Sequence, residues 1–171
     1  MAISKRKVFQ LLVDNTSGAL SRISGLFSRR GYNIESITAG TTADPNYTRI
    51  TIVTSGDDQI LEQIEKQVRK LEDVRHIREL KRDNSVYREL CMIKVEAKPE
   101  DRTNLASLSD IFRANIIDVG TDSLIIELTG NQGKIDAFLK LLDGYRILEL
   151  ARTGIAGLTR GSDDVVWLET E

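Results

Sequence analysis

The stretch DNTSGALSRISGLFSRRGYNIESI, at residues 14–37, combines a polar turn, an amphipathic segment and the start of a strand. Gly31 ends the amphipathic segment, and the residues that follow alternate weakly between apolar and polar, which is typical of an edge strand. The preceding run VFQLLV, at residues 8–13, is nearly continuous and apolar, as in a strand covered on both faces. A helix is indicated by apolar residues at helical spacing: Leu20, Ile23, Leu26 and Phe27.

The same succession of elements continues and then repeats. A β-branched strand is predicted at residues 48–54, a capped helix after Asp57, and a short strand at residues 74–80. The polar segment at residues 81–85 indicates a linker. The second half predicts strands at residues 90–97, 116–119, 124–128 and 147–151, with helices starting near Pro99 and Gly133. The predicted fold class is therefore α+β, with two ferredoxin-like βαββαβ domains at residues 1–80 and 86–171. The tail after Gly154 has no clear pattern.

Composition and charge exclude several classes of function. Of the 171 residues, 40% are hydrophobic, which suffices for a core, and a net charge of -2 offers no basic surface for nucleic acid or an anionic membrane. No apolar run approaches the roughly 20 residues of a spanning helix, and the one after the basic N-terminus is too short for a secretory signal. We therefore expect a soluble, cytoplasmic protein that binds neither nucleic acid nor membranes.

The βαββαβ order also describes RNA-binding RRM domains. Those domains need aromatic platforms on their central strands and a basic surface. Here the first strand offers Phe9, the third only Tyr47 at its edge, and aromatic residues make up 5% of the chain. An RNA-binding function is not favoured.

The residues capable of chemistry do not form a catalytic set. His76 is the only histidine and Cys91 the only cysteine, so strand packing explains both better than metal binding or nucleophilic catalysis. Ser17 has no base near it in the sequence, and neither a phosphate-binding loop nor a nucleophile elbow occurs. Two pairs of acids lie in a turn and in the tail, where capping or solvation is expected: Asp57-Asp58 and Asp163-Asp164. We expect no catalytic residue and no metal ligand.

The turn before the first helix has the chemistry of a small-ligand site. A helix start carries open N–H donors and partial positive charge, and Gly18 allows a ligand to approach the backbone closely. The side chain of Asn15 can accept from an ammonium group and donate to a carboxylate, which suits a free α-amino acid. Asn33 begins the second strand, and pairing of that strand with a second copy of the chain would bring it to the partner's turn. A plain helix cap and hairpin edge is the alternative that the residues alone leave open.

A resemblance to a known family favours the ligand site. The stretch VDNTSGALSRISGLFSRRGYNIESITAG, together with RITIVTSGDDQILEQIEKQVRKLEDV, resembles the ACT domain of the small, regulatory subunits of acetolactate synthase. IFRANIIDVGTDSLIIELTGNQGKIDAFLKLL and ARTGIAGLTRG resemble the C-terminal domain of the same family, so the likeness covers residues 6 to 161. The resemblance implies a regulator without an active site, an ACT domain at residues 1–80 and the family's C-terminal domain at residues 86–171.

The resemblance also implies partners and a ligand. The family's small subunits bind a catalytic large subunit that depends on thiamine diphosphate, and thiamine diphosphate, magnesium and FAD are expected only in that subunit. Valine or another branched-chain amino acid is expected between two ACT domains of a homodimer. Its binding residues carry over to Asn15, Gly18, Ala19, Leu20, Asn33 and Ile34.

Two departures from the family's pattern lie in the turn. Asp14 replaces a common glutamate and Ser17 a common proline, which bears on effector affinity and preference. In the second half, the matching turn contains Glu100 and Asp101, which would repel a carboxylate, so contact with the catalytic subunit is the expected role there. A stand-alone amino-acid sensor without an enzyme partner is the alternative.

Overall fold

Apolar alternation and helix caps build the first unit of the chain. The computed structural model describes residues 5–162. The first elements are β1 Lys5–Asp14, α1 Ala19–Arg30, β2 Asn33–Thr41, β3 Tyr47–Gly56, α2 Asp58–Val68 and β4 Val74–Glu79. They form a four-stranded antiparallel sheet in the order β2-β3-β1-β4, with both helices packed on one face. The predicted βαββαβ fold and the edge position of β2 are therefore confirmed.

The helix-covered face of the first sheet carries the core. Phe9, Leu11 and Val13 of β1 point into it and meet Ile23 of α1 and Leu61 of α2, all of them buried. Phe9 is thus a core residue and cannot stack on a base. Because it is the one aromatic residue of β1, this strand offers no platform for RNA.

Backbone geometry fixes the ends of the helices in the first unit. Gly18 and Gly31 flank α1 with φ of 88° and 66°, a region that side chains other than glycine's seldom occupy. Asp57 caps α2, where its carboxylate accepts a hydrogen bond from the Ile60 amide at 2.8 Å. These positions match the predicted helix boundaries.

The second unit repeats the order of the first. A short 3-10 helix at Pro99–Asp101 leads into α3, and Asn131 caps α4. The elements are β5 Ser85–Glu96, α3 Arg102–Phe112, β6 Asn115–Val119, β7 Ser123–Gly130, α4 Gln132–Leu141 and β8 Ile147–Arg152, with strand order β6-β7-β5-β8. Cys91 is buried in this core, as its strand position predicts. None of the helices within residues 5–162 is long and apolar enough to cross a membrane.

The division of the chain differs from the predicted one in two respects. The first unit extends to Val86, so the supposed linker at residues 81–85 holds a 3-10 helix and the first residue of β5. The segment from Ile155, predicted as part of the second domain, belongs to the first unit and contains β9, Ala156–Thr159. The buried Gln10 side chain requires a partner, and the Gly157 carbonyl supplies it by accepting its Nε2 proton at 2.7 Å. Asp163-Asp164 lies outside the described residues.

Two leucine-sized side chains on α3 test how the second core is built. Leu105 is 0% exposed and Ile111 is 73% exposed. We expect Leu105→Ala to lower the free energy of unfolding by about 2–5 kcal/mol, because it opens a cavity in the core. Ile111→Ala is the matched control and should change it by less than about 1 kcal/mol. Urea unfolding of both variants measures this, and equal losses would contradict the assignment of the core face.

Candidate functional site

The start of α1 presents free backbone donors. Gly18 occupies the N-cap position without a side-chain cap, and the first helical turn holds no acidic residue. The Ala19 amide donates to the Thr16 carbonyl at 3.3 Å. Within residues 5–162, the amides of Leu20 and Ser21 find no acceptor of their own. Open donors and the positive end of the helix dipole together suit an anionic group such as a carboxylate.

The carboxylate of Asp73 holds this turn in place. Asp73 lies between α2 and β4, is 9% exposed, and accepts hydrogen bonds from Arg22 at 2.5 and 2.6 Å and from the Thr16 hydroxyl at 3.2 Å. Its main-chain carbonyl accepts from the Asp14 amide at 2.9 Å. The Arg22 hydrogen bonds and charge keep the pKa of the Asp73 carboxyl below its ordinary value against the opposing effect of desolvation. Asp73 thus links the end of β1, the turn and the first helix.

Arg22 also lies beside the glycine of the turn. A Cβ built on Gly18 would lie 2.9 Å from Nη1 of Arg22. The Nε and Nη2 atoms of the guanidinium bind Asp73, and Nη1 is left as a donor beside Gly18. Sequence reasoning found neither Arg22 nor Asp73 as a site residue, although Arg22 follows Gly18 by one helical turn, a spacing that points to such proximity.

The side chain of Asn15 makes two hydrogen bonds with the hairpin between β2 and β3, one as donor and one as acceptor. Its Nδ2 donates to the Pro45 carbonyl at 2.9 Å, and its Oδ1 accepts from the Thr48 hydroxyl at 3.1 Å. The residue is exposed, so one further proton and one further lone pair of the amide are open to a ligand. Next to it, Ala19 is buried in the core while Leu20 is 45% exposed and offers an apolar surface.

Asn33 and Ile34 lie at the other end of the sheet. Asn33 pairs with Ser55, whereas Thr48, which contacts Asn15, pairs with Thr41 at the far end of β2. The strand from Thr48 to Ser55 spans about 23 Å at roughly 3.3 Å per residue. One chain therefore brings together Asn15, Gly18, Ala19 and Leu20, and it holds Asn33 and Ile34 apart from them.

The Asn33 side chain is exposed and makes no hydrogen bond to any described residue, while its main-chain carbonyl accepts from the Thr54 hydroxyl at 2.5 Å. Ile34 is half-buried against the core. The side-chain amide of Asn33 is therefore available to bind a ligand or another chain.

Comparison with known proteins identifies the family. A family model described as an AHAS small subunit-like ACT domain matches residues 9–76, and one described as the small subunit of acetolactate synthase matches residues 88–161. A probable acetolactate synthase small subunit of Archaeoglobus fulgidus is 49% identical over 89% of this chain and 95% of its own length. The isozyme 3 small subunit of Escherichia coli K12 is 47% identical over 91% and 96%. The chain belongs to the family of acetolactate synthase small subunits.

A solved acetolactate synthase small subunit has the same fold. The crystal structure of the small subunit from Thermotoga maritima superposes with a TM-score of 0.86 at 40% identity, covering 93% of this chain and 99% of that one. The two-domain resemblance predicted from the sequence is therefore confirmed across nearly the whole chain.

The helix start of the second unit differs in charge from that of the acetolactate synthase ACT domain. Glu100 and Asp101 precede α3, and the Asp101 carboxylate accepts from the Lys98 amide at 3.1 Å. A ligand carboxylate would meet two acids there, so this helix start does not suit an anionic group.

The two residues considered for metal or nucleophilic chemistry lie in strands. His76, on β4, is partly buried, and desolvation together with the charges of Arg78 and Arg49 lowers its pKa. Desolvation raises the pKa of the Cys91 thiol, which disfavours the reactive thiolate. In the described part of the chain, no group of three or more His, Cys, Asp or Glu side chains is arranged to hold a metal ion.

The Asp73 interaction predicts a specific loss of stability in acid. A carboxyl whose pKa is lower in the folded than in the unfolded state, where it is about 3.9, stabilises the fold fully above that pH and loses its contribution as the pH falls through the folded pKa. When the pH is lowered from 6 to 3, the free energy of unfolding measured in urea should therefore fall further for wild type than for Asp73→Asn.

The Arg22→Gln background is the control for this effect. Without the guanidinium, Asp73 loses the main cause of its low pKa, so Asp73→Asn should no longer reduce the acid dependence. If Asp73→Asn reduced the acid dependence as much in Arg22→Gln as in wild type, Arg22 would not be the cause of the low pKa of Asp73.

Proposed function

We propose that this chain is a regulatory subunit that activates a thiamine-diphosphate-dependent acetolactate synthase large subunit and makes it sensitive to valine. Membership of the small-subunit family supports the partner, because the named relatives are subunits of that enzyme. The observation that carries the effector site is the uncapped, acid-free start of α1 beside Arg22.

The effector site is completed by a second copy of the chain. β2 is an edge strand, so its outer main-chain groups are open to pairing with another strand. Antiparallel pairing of β2 with its copy about a two-fold axis would place Asn33 beside the partner subunit's Thr41. Thr41 pairs with Thr48, whose hydroxyl contacts Asn15, so the partner's turn would lie next to Asn33. A homodimer therefore joins the two groups of site residues that one chain separates.

Each part of valine has a matching group in this composite site. The carboxylate binds the Leu20 and Ser21 amides and accepts a hydrogen bond from Nη1 of Arg22, whose Nε and Nη2 bind Asp73. The ammonium group binds side-chain oxygens of Asn15 and of the partner subunit's Asn33. Leu20 and the partner subunit's Ile34 form the apolar wall for the branched side chain. A branched-chain amino acid satisfies all three surfaces, and a polar amino acid does not.

Catalysis resides in the large subunit in this account. Thiamine diphosphate, magnesium and FAD would be held there, and this chain alone would form no acetolactate. The second unit, with acids at the start of α3, serves contact with the large subunit and not effector binding.

A pair of substitutions at Gly18 tests feedback separately from activation. Gly18→Asp adds a carboxylate at the helix start, which would repel the valine carboxylate and raise the inhibitory concentration of valine at least tenfold, equivalent to about 1.4 kcal/mol. Gly18→Ala imposes the same positive-φ strain and the same contact with Arg22 without the charge, so it is the matched control and should shift inhibition less. Asn33→Ala removes about one hydrogen bond, worth roughly 1 kcal/mol.

The measurement is acetolactate formation by the large subunit reconstituted with each variant and titrated with valine. All three variants should retain activation. If valine inhibited the enzyme reconstituted with Gly18→Asp as strongly as wild type, the effector would bind elsewhere. Loss of activation in that variant alone would mean that the turn contacts the large subunit. Failure of the wild-type chain to activate the large subunit would refute the regulatory role.

A further inference from the structure

A polar cavity of about 300 Å³ lies in the first unit beyond the end of β4. The Leu80 amide donates to the Val8 carbonyl near the start of β1, so this cavity is at the end of the sheet opposite the turn at residues 14–18. It is lined by Arg78, Glu79, Lys81, Asn84, Ser85 and Thr159. Its volume is at the lower end of the ~300–1,000 Å³ typical of small-molecule sites.

A buried hydroxyl in this cavity has no hydrogen-bond partner in the protein. Ser85 is 5% exposed, and among residues 5–162 nothing pairs with its Oγ. Leaving a buried polar group unsatisfied destabilises the fold, so such a group indicates a missing partner. The main-chain carbonyl of the adjacent Asn84 accepts from the Arg160 amide at 2.9 Å, which fixes this wall of the cavity to the tail.

The charges around the cavity are unbalanced. Glu79 is neutralised by Lys7, whose Nζ lies 2.7 Å from its carboxylate. Arg78 donates from Nε to the Gln10 side chain at 2.9 Å, but neither Arg78 nor Lys81 forms an ion pair with any residue that the structure describes. Burial and, to a smaller extent, the positive charge of Arg78 lower the pKa of Arg49. Glu79, the one acid that lines the cavity, is paired with Lys7, so among the described residues the charges of Arg78 and Lys81 have no partner anion.

We propose that this cavity binds the phosphate group of a small anion. Two cationic side chains match the double negative charge of phosphate, and its several oxygens can accept hydrogen bonds from the Ser85 hydroxyl, the Asn84 side-chain amide and the Thr159 hydroxyl at once. A carboxylate offers one charge and two oxygens, so it would leave a cation unpaired. The ligand is either inorganic phosphate or the phosphate end of a small phosphomonoester, since the chemistry of recognition is the same.

This site is independent of the proposed regulatory function. It shares no residue with the turn at residues 14–18 or with Asn33 and Ile34. Loss of phosphate binding would leave valine binding intact, and failure of the valine proposal would leave this one standing.

The test is a titration of the full chain, at constant ionic strength, with inorganic phosphate, glycerol 3-phosphate and succinate, followed by amide chemical shifts. Phosphate and glycerol 3-phosphate should shift the amide signals of Lys81, Asn84, Ser85 and Thr159. Succinate has the same double charge but divides it between two separate carboxylates, so each end offers one charge and it should bind at least tenfold more weakly. Tighter binding of inorganic phosphate would identify the free ion as the ligand, and tighter binding of glycerol 3-phosphate would identify an esterified one.

Three substitutions make the test specific. Lys81→Gln and Ser85→Ala should each weaken phosphate binding at least fivefold, and Ser85→Ala should not destabilise the fold because its hydroxyl makes no hydrogen bond there. Arg82→Gln removes the same charge from an exposed neighbour that does not line the cavity, and it should leave binding within twofold of wild type. Equal weakening by Arg82→Gln, equal binding of succinate, or no shift at these amides would overturn the proposal.

Discussion

The Asp73 carboxylate is the constraint on which the first helix start depends. It receives the Arg22 guanidinium and the Thr16 hydroxyl, and its own carbonyl receives the Asp14 amide. Because one buried anion satisfies these groups, α1 can begin at a glycine without a capping side chain, and its first free amides stay open. A capping Asp or Ser at that position would fill the donors that a ligand carboxylate needs. The open donors at this helix start thus depend on support supplied from outside the helix.

Sheet topology determines how the rest of the proposed effector site would be assembled. An antiparallel sheet in the order β2-β3-β1-β4 sends the chain from the turn, down α1, to the opposite end before β2 begins. Asn33 is therefore remote from Asn15 in its own chain, and the open edge of β2 is the element through which a second copy can bring them together. The second unit has the same order of elements, but Glu100 and Asp101 give its matching helix start the wrong charge. Repetition of the fold alone does not repeat the proposed site.

Local signals made most of the fold predictable, and long-range contacts made the rest unpredictable. The glycine at residue 31, the Asp57 cap and the apolar spacing of both helix pairs act within one or two turns, so the sequence reveals them directly. Asp73 is a single acid in a turn, and only the folded chain shows that it meets Arg22, some fifty positions away. The contact between Gly157 and the buried Gln10 is likewise unpredictable from local sequence, because the short strand around Gly157 shows no alternation of apolar and polar residues. Local patterns reveal the glycine and the open amides of the proposed site, but not Arg22 and Asp73, which hold the turn.

The most direct test of the central claim is valine binding to a mixed dimer that carries Gly18→Asp in one subunit and Asn33→Ala in the other, purified with two different tags. If each site combines the turn of one chain with Asn33 of its partner, one site contains both substitutions and the other contains neither. Calorimetry should then find one valine site per mixed dimer with wild-type affinity, and neither parent homodimer should have such a site. Absence of a wild-type site in the mixed dimer would contradict the account, because it would place the whole site within a single chain.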